Sequence, residues 1–257
     1  MHRLVTLFAA ALFTAVIGTG CISAEVLTPA DISVDELEKK IQLAMDPQNR
    51  YASAKNTVCR QEVTTERWME DPLVQMVEVK FAKPDLFRWV TYDDNQPVIG
   101  IITNGKQCWF ADYKEKSVSP VGEDDMKAMQ RIRHIAQIAD PGSRLKEVFP
   151  LIQVYQCQSS EQKDCYKLVC KRDEESDAFN IYVDKNTFRI FRISGVFSIG
   201  AGSLDYDARI LRYRLYEGFF IPAEMEIFQN GTKQTSRIIT YRINTEIDPA
   251  DFRPPVF

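Results

Sequence analysis

The stretch from Val79 to Tyr113 decides the fold. It contains Lys83-Pro84-Asp85-Leu86-Phe87-Arg88-Trp89, an apolar run from Val98 to Thr103, the turn Asn104-Gly105-Lys106, and then Cys108-Trp109-Phe110-Ala111-Asp112-Tyr113. Pro84 blocks helix propagation and biases Lys83 toward extended backbone. In the strand that follows, alternation puts Phe87, Trp89 and Thr91 on one face and Arg88, Val90 and Tyr92 on the other. Asn104-Gly105 between apolar runs predicts a hairpin with a type I′ turn, because both residues tolerate positive φ. The stretch is therefore antiparallel sheet carrying large aromatic side chains.

Working outward, Ser33 to Met45 reads as a helix. Ser33 is its cap, Glu36 stands three residues later, and Val34, Leu37, Ile41 and Met45 form one apolar stripe. Strand signals run over Val58 to Arg67 and from Met76 to Phe81, and Ser117 to Val121 closes this half. Glu123 to Ala139 then changes rhythm: Met126, Met129, Ile132 and Ile138 recur at helical spacing, with acidic residues first and basic residues later, as a helix dipole prefers. Asp140-Pro141-Gly142 ends that helix, and a short helical turn is expected over Ser143 to Phe149.

The second half returns to strands. Ile152 to Gln158 and Cys165 to Lys171 form one hairpin, and Phe179 to Val183 and Phe188 to Ile193 another. Arg209 to Tyr216, Ala223 to Phe228 and Arg237 to Asn244 form a final meander. The Gly-rich Ser194 to Ser203 reads as a mobile connection; as a phosphate loop it lacks the following Gly-Lys-Ser/Thr. The fold class is mainly β (α+β): one strongly curved antiparallel sheet or unclosed half-barrel, with helices covering its concave face as a lid.

The chain of 257 residues suits one large domain, and 45% hydrophobic with 11% aromatic residues is enough for a sizeable core. A net charge of −4 argues against nucleic-acid binding by bulk attraction. Residues 1–24 read as a signal peptide: His2 and Arg3 are basic, Leu4 to Ile17 is apolar, and Ile22-Ser23-Ala24 is the cleavage site. This leaves 25–257 as a single exported domain. The rival reading takes Gly20-Cys21 as a lipoprotein cleavage point, with Cys21 acylated.

Export makes the cysteines informative. Cys157, Cys165 and Cys170 cluster on one hairpin, where Cys157–Cys165 is the preferred bridge and Cys157–Cys170 the alternative; Cys59 and Cys108 could pair across strands. A metal site is not expected, since no His lies nearby and no Cys-x-x-Cys spacing occurs. The carboxylate pairs Asp124-Asp125, Glu174-Glu175 and Glu224/Glu226 read as capping and solvated faces. His134 has no nucleophile motif beside it. No cofactor and no enzymatic activity are expected.

The organising stretch also resembles the periplasmic lipoprotein-carrier family (LolA-like, with LolB and related lipid-binding proteins). The resemblance rests on Lys83 before Pro84, on Phe87 and Trp89, and on Gly105, Lys106 and Trp109. It rests also on the chain end, where Ile247 to Phe252 followed by Pro254-Pro255 is similar to the family's last strand. It implies a carrier of acylated lipoproteins or lipids from inner to outer membrane, monomeric and periplasmic, loaded by an inner-membrane ABC transporter and unloaded at an outer-membrane receptor. It further implies an acyl cavity, lined here by Phe87, Trp89, Phe110, Met126, Met129 and Ile132, and a lid latch at Lys83 that bonds backbone carbonyls. Two alternatives keep the fold: an envelope sensor that binds lipid, and an outer-membrane receptor anchored through Cys21.

Overall fold

A computed structural model describes residues 27–126, 138–142, 144–158, 164–199 and 202–257. After β1 (Thr28–Pro29), helix α1 (Val34–Met45) and a 3-10 turn (Tyr51–Ser53) lead into β2 (Asn56–Thr65), β3 (Leu73–Ala82), β4 (Leu86–Asp93), β5 (Gln96–Asn104), β6 (Cys108–Asp112) and β7 (Ser117–Pro120). A one-turn helix α2 (Leu145–Val148) precedes β8 (Leu151–Gln158), β9 (Asp164–Lys171), β10 (Phe179–Asp184), β11 (Ile190–Ile199), β12 (Gly202–Tyr216), β13 (Phe219–Gln229) and β14 (Thr232–Ile243). All strands join one 14-stranded antiparallel sheet in the order β1-β8-β9-β10-β11-β12-β13-β14-β2-β3-β4-β5-β6-β7. The sheet is an unclosed half-barrel: β14 pairs with β2 in its middle, and β1 and β7 are its edges.

Helix α1 forms where the sequence predicts it. The Ser33 hydroxyl accepts the Glu36 N–H at 3.2 Å, and Leu37, Ile41 and Met45 are buried. They pack with Ile138, Ala139, Leu145 and Phe149 onto Leu168, Phe179, Ile181, Ile193 and Ile210 of β9 to β12. This defines the inner face, and over β8–β12 that face is filled by the chain's own side chains. The disulfide joins Cys157 and Cys165, which stand opposite each other in the β8–β9 ladder, while Cys170 is buried and free. Cys59 and Cys108 are also free. Strands β3, β4 and β5 lie between theirs, which separates them by roughly 19 Å at ~4.8 Å per strand, beyond bridging reach.

Several expectations change. At Asn104-Gly105 the hairpin exists, but only Gly105 has positive φ; the Asn104 side chain instead accepts the N–H groups of Lys106 and Gln107, making a wider turn. The two-residue turn with both φ positive lies one hairpin earlier, at Asp94-Asn95. The Gly-rich stretch is ladder: β11 runs to Ile199 and β12 starts at Gly202, with Gly195 paired to Tyr206. Gly195 is there for space, since a Cβ would stand 2.6 Å from the Phe179 ring. The end of the chain is not a strand. Pro249–Phe252 is a 3-10 turn capped by Asp248, lying across the outer face of β4 and β5, where Phe252 is buried and Asp251 pairs with Lys80 at 2.8 Å. The predicted Glu123–Ala139 helix is helical at 123–126, its centre lies outside the described residues, and Ile138–Gly142 is turn. Among the described residues, no helix is long and apolar enough to cross a membrane.

Candidate functional site

On β2 to β6 the inner face carries the aromatic residues of the organising stretch. Register sets them in rows, because directly opposed residues point to the same face. One row runs Tyr241, Cys59, Val79, Trp89, Ile101 and Phe110, and the next runs Ile243, Thr57, Phe81, Phe87, Thr103 and Cys108. Phe87, Trp89 and Phe110 thus share one surface and are half-buried. Met126 is half-buried at the end of the described helical turn, and Met129 and Ile132 lie outside the described residues, as does Cys21.

Lys83 stands at the β3–β4 corner, at the rim of that surface. Its Nζ donates to the Ala52 carbonyl at 3.2 Å and lies 5.9 Å from the centre of the Tyr51 ring. Its own N–H bonds the Lys55 carbonyl at 2.9 Å. The carbonyl it reaches therefore belongs to the 3-10 turn after α1.

Tyr51 is the hub of this corner, and sequence reasoning missed it. Its ring meets Phe219 edge-on at 5.8 Å. Its N–H donates to Asp46 Oδ2 at 2.7 Å. Its hydroxyl shares a hydrogen bond with Tyr241. Asp140, in the turn at Ile138–Gly142, lies within electrostatic reach of this group. Burial pushes Asp140 up to about 7. Burial first, and the Asp140 charge second, raise the phenols of Tyr51, Tyr213 and Tyr241 and push the Cys59 thiol up to about 12. A thiol so held is protonated and poorly nucleophilic. Nothing local could have revealed this cluster, since Asp140-Pro141-Gly142 has only the signature of a helix stop.

The carboxylates of β13 are engaged in ion pairs. Glu224 pairs with Arg212 at 2.7 Å and Glu226 with Lys233 at 3.4 Å, as rungs of a charged ladder across the sheet. Among the described residues no group of His, Cys, Asp and Glu is arranged to hold a metal ion.

No protein-family model and no curated protein sequence matches the chain. Solved structures do. A LolA superfamily protein from Nitrosomonas europaea aligns over 86% of this chain and 98% of its own, with TM-score 0.59 and 12% identity. A DUF1329 family protein from Desulfovibrio piger aligns over 84% and 97%, with TM-score 0.54 and 13% identity. An outer membrane lipoprotein-sorting protein domain from Vibrio parahaemolyticus aligns over 84% and 97%, with TM-score 0.52 and 13% identity. The chain has a LolA-like fold.

Proposed function

We propose that this protein is an exported, non-enzymatic carrier that shelters acyl chains of lipoproteins or lipids on the inner face of its half-barrel. In this reading residues 1–24 direct export, 25–257 form the carrier domain, and the domain works in the periplasm between an inner-membrane donor and an outer-membrane acceptor. The observation that carries the reading is the division of the inner face. Over β8–β12 it is closed by α1 and its neighbours, whereas over β2–β6 Phe81, Phe87, Trp89 and Phe110 form an apolar, half-buried wall. Burying such a wall and an acyl chain together gains roughly 0.8 kcal/mol per CH₂ removed from water. Met126, Met129 and Ile132 complete the wall in this reading, and Lys83 holds the corner shut.

The test is retention of a triacylated lipopeptide by delipidated protein. Wild type is expected to bind it and to shift its tryptophan emission. Phe87→Glu places a charge in the wall and is expected to weaken binding at least about tenfold, since an unpaired charge against apolar surface is costly. Delipidated wild type that retains no acylated peptide overturns the carrier reading.

A further inference from the structure

The inner face changes character along its strands. At the Lys83 end, the rows through Phe87 and Trp89 are dominated by aromatic and aliphatic side chains. Further along β14, β2, β3 and β4 the rows run Ile238, Gln61, Val77 and Thr91, then Ser236, Val63 and Gln75, then Gln234, Thr65 and Leu73. Each of these carries uncharged hydrogen-bonding side chains beside aliphatic ones. The step from Phe81 to Gln75 along β3 covers roughly 20 Å at ~3.4 Å per residue. Among the described residues the buried polar side chains are Asp46, Thr91 and Ser236, so two of them stand in this band.

Ser236 Oγ donates to Gln61 Oε1 at 3.2 Å, and Gln234 Nε2 donates to Thr65 Oγ1 at 3.3 Å. Both bonds cross the seam between β14 and β2 and hold the side chains along it. They leave capacity to spare. A primary amide has two N–H donors and an acceptor oxygen, so Gln61 keeps donors to offer and Gln234 keeps its carbonyl. Charge is kept off this face. The charged residues of β14, β2 and β3 fall on the other face, in the rows Arg237–Glu62, Arg60–Glu78 and Arg242–Val58–Lys80, with Lys233 paired to Glu226.

We propose that this band is a head-group site that takes the uncharged ester or amide linkage of a neutral acyl lipid, with the acyl chains running toward Phe87 and Trp89. The carbonyl oxygens of such a linkage need donors, and its hydroxyl or N–H groups need acceptors. The band supplies both within an apolar surround, the usual make-up of a site that orients an apolar ligand. A phosphate or a free carboxylate there would be desolvated without a cation. Lys83 stands at the far end of the wall, bonded to the Ala52 carbonyl. The proposal takes its ligand from the carrier reading and adds the head-group class and the orientation.

The experiment compares dioctanoylglycerol with dioctanoyl phosphatidate, which share their acyl chains, as ligands of the delipidated protein. Wild type is expected to bind the glycerol ester at least about tenfold more tightly than the phosphatidate. The double variant Gln61→Leu with Ser236→Ala is expected to lose about tenfold in affinity for the glycerol ester while its affinity for the phosphatidate stays the same. Gln234→Lys places a cation in the band and is expected to reverse the preference. Thermal unfolding shows whether each variant folds, and the wild-type ratio needs no variant. Wild type that binds neither probe overturns the carrier reading and the head-group site with it. Wild type that binds both alike, or a preference that survives in the double variant, overturns the head-group site and leaves the carrier reading standing.

Discussion

The Lys83 ammonium donates to the Ala52 carbonyl at 3.2 Å across a sequence separation of 31 residues. With the Lys83 N–H on the Lys55 carbonyl, it ties the β3–β4 corner twice to the segment that joins α1 to the sheet. Lys83 is exposed, so losing its side-chain bond is expected to cost at most about 1 kcal/mol. Lys83→Ala should melt within a few degrees of wild type yet release a bound lipopeptide faster, whereas Lys83→Arg should restore retention. Unchanged release in Lys83→Ala would separate the bond from any role in holding cargo.

Leu37 is fully buried beneath α1, against the inner face of the closed half. Leu37→Ala is expected to cost about 2–5 kcal/mol, from lost burial and the cavity left behind. Urea unfolding measures it as a lower midpoint with an unchanged slope. Leu43 on the solvent side of the same helix is 48% exposed, and Leu43→Ala should leave the stability within about 0.5 kcal/mol of wild type.

The Cys157–Cys165 bridge closes a separation of 8 residues. For so short a loop the chain-entropy model gives about 2.5 kcal/mol of stabilisation. Replacing both cysteines by Ala should lower stability by about that amount, and a reductant should then have no further effect. Non-reducing peptide mapping should recover Cys59, Cys108 and Cys170 as thiols under denaturing conditions.

Two glycines should respond differently to a methyl group. At Gly195 a Cβ would meet the Phe179 ring at 2.6 Å and the Phe179 Cα at 3.1 Å, so Gly195→Ala must displace backbone or a core ring. It is expected to cost about 1–3 kcal/mol through overpacking. At Gly231, φ is +78 and nothing lies within 4 Å, so Gly231→Ala carries only the left-handed strain of roughly 1–2 kcal/mol. Thermal unfolding of both, with near-ultraviolet circular dichroism as a probe of packing, should show altered tertiary signal in the first alone.

What could be read from the sequence was local. The α1 stripe and its Ser33 cap, the alternation of Phe87 and Trp89, and the Cys157–Cys165 hairpin each depend on neighbours within a turn or a ladder, and each is present in the fold. The turn at Asn104 was visible as a turn but not as a type, because its geometry comes from a side chain accepting from the backbone. Gly195 suggested a loose connection because a glycine chosen for space and one chosen for flexibility look alike in sequence. The approach of Tyr51 to Tyr241 was invisible, since the two sit on elements that only the folded sheet brings together. The aromatic face is intermediate: alternation put Phe87 and Trp89 on one face, and register adds Phe110 to the same face two strands away.

The two ends of the sheet bear on how an open half-barrel survives in solution. A closed barrel has no unpaired backbone to offer, but this one exposes a border at each side, where another chain could add itself strand by strand. Both borders are poor templates. β1 is two residues long and ends in Pro29, and β7 is four residues long and ends in Pro120. A proline at each margin removes a donor from the row that a newcomer would read. Neither border of the half-barrel is therefore a ready template for recruiting copies of the chain into a fibre.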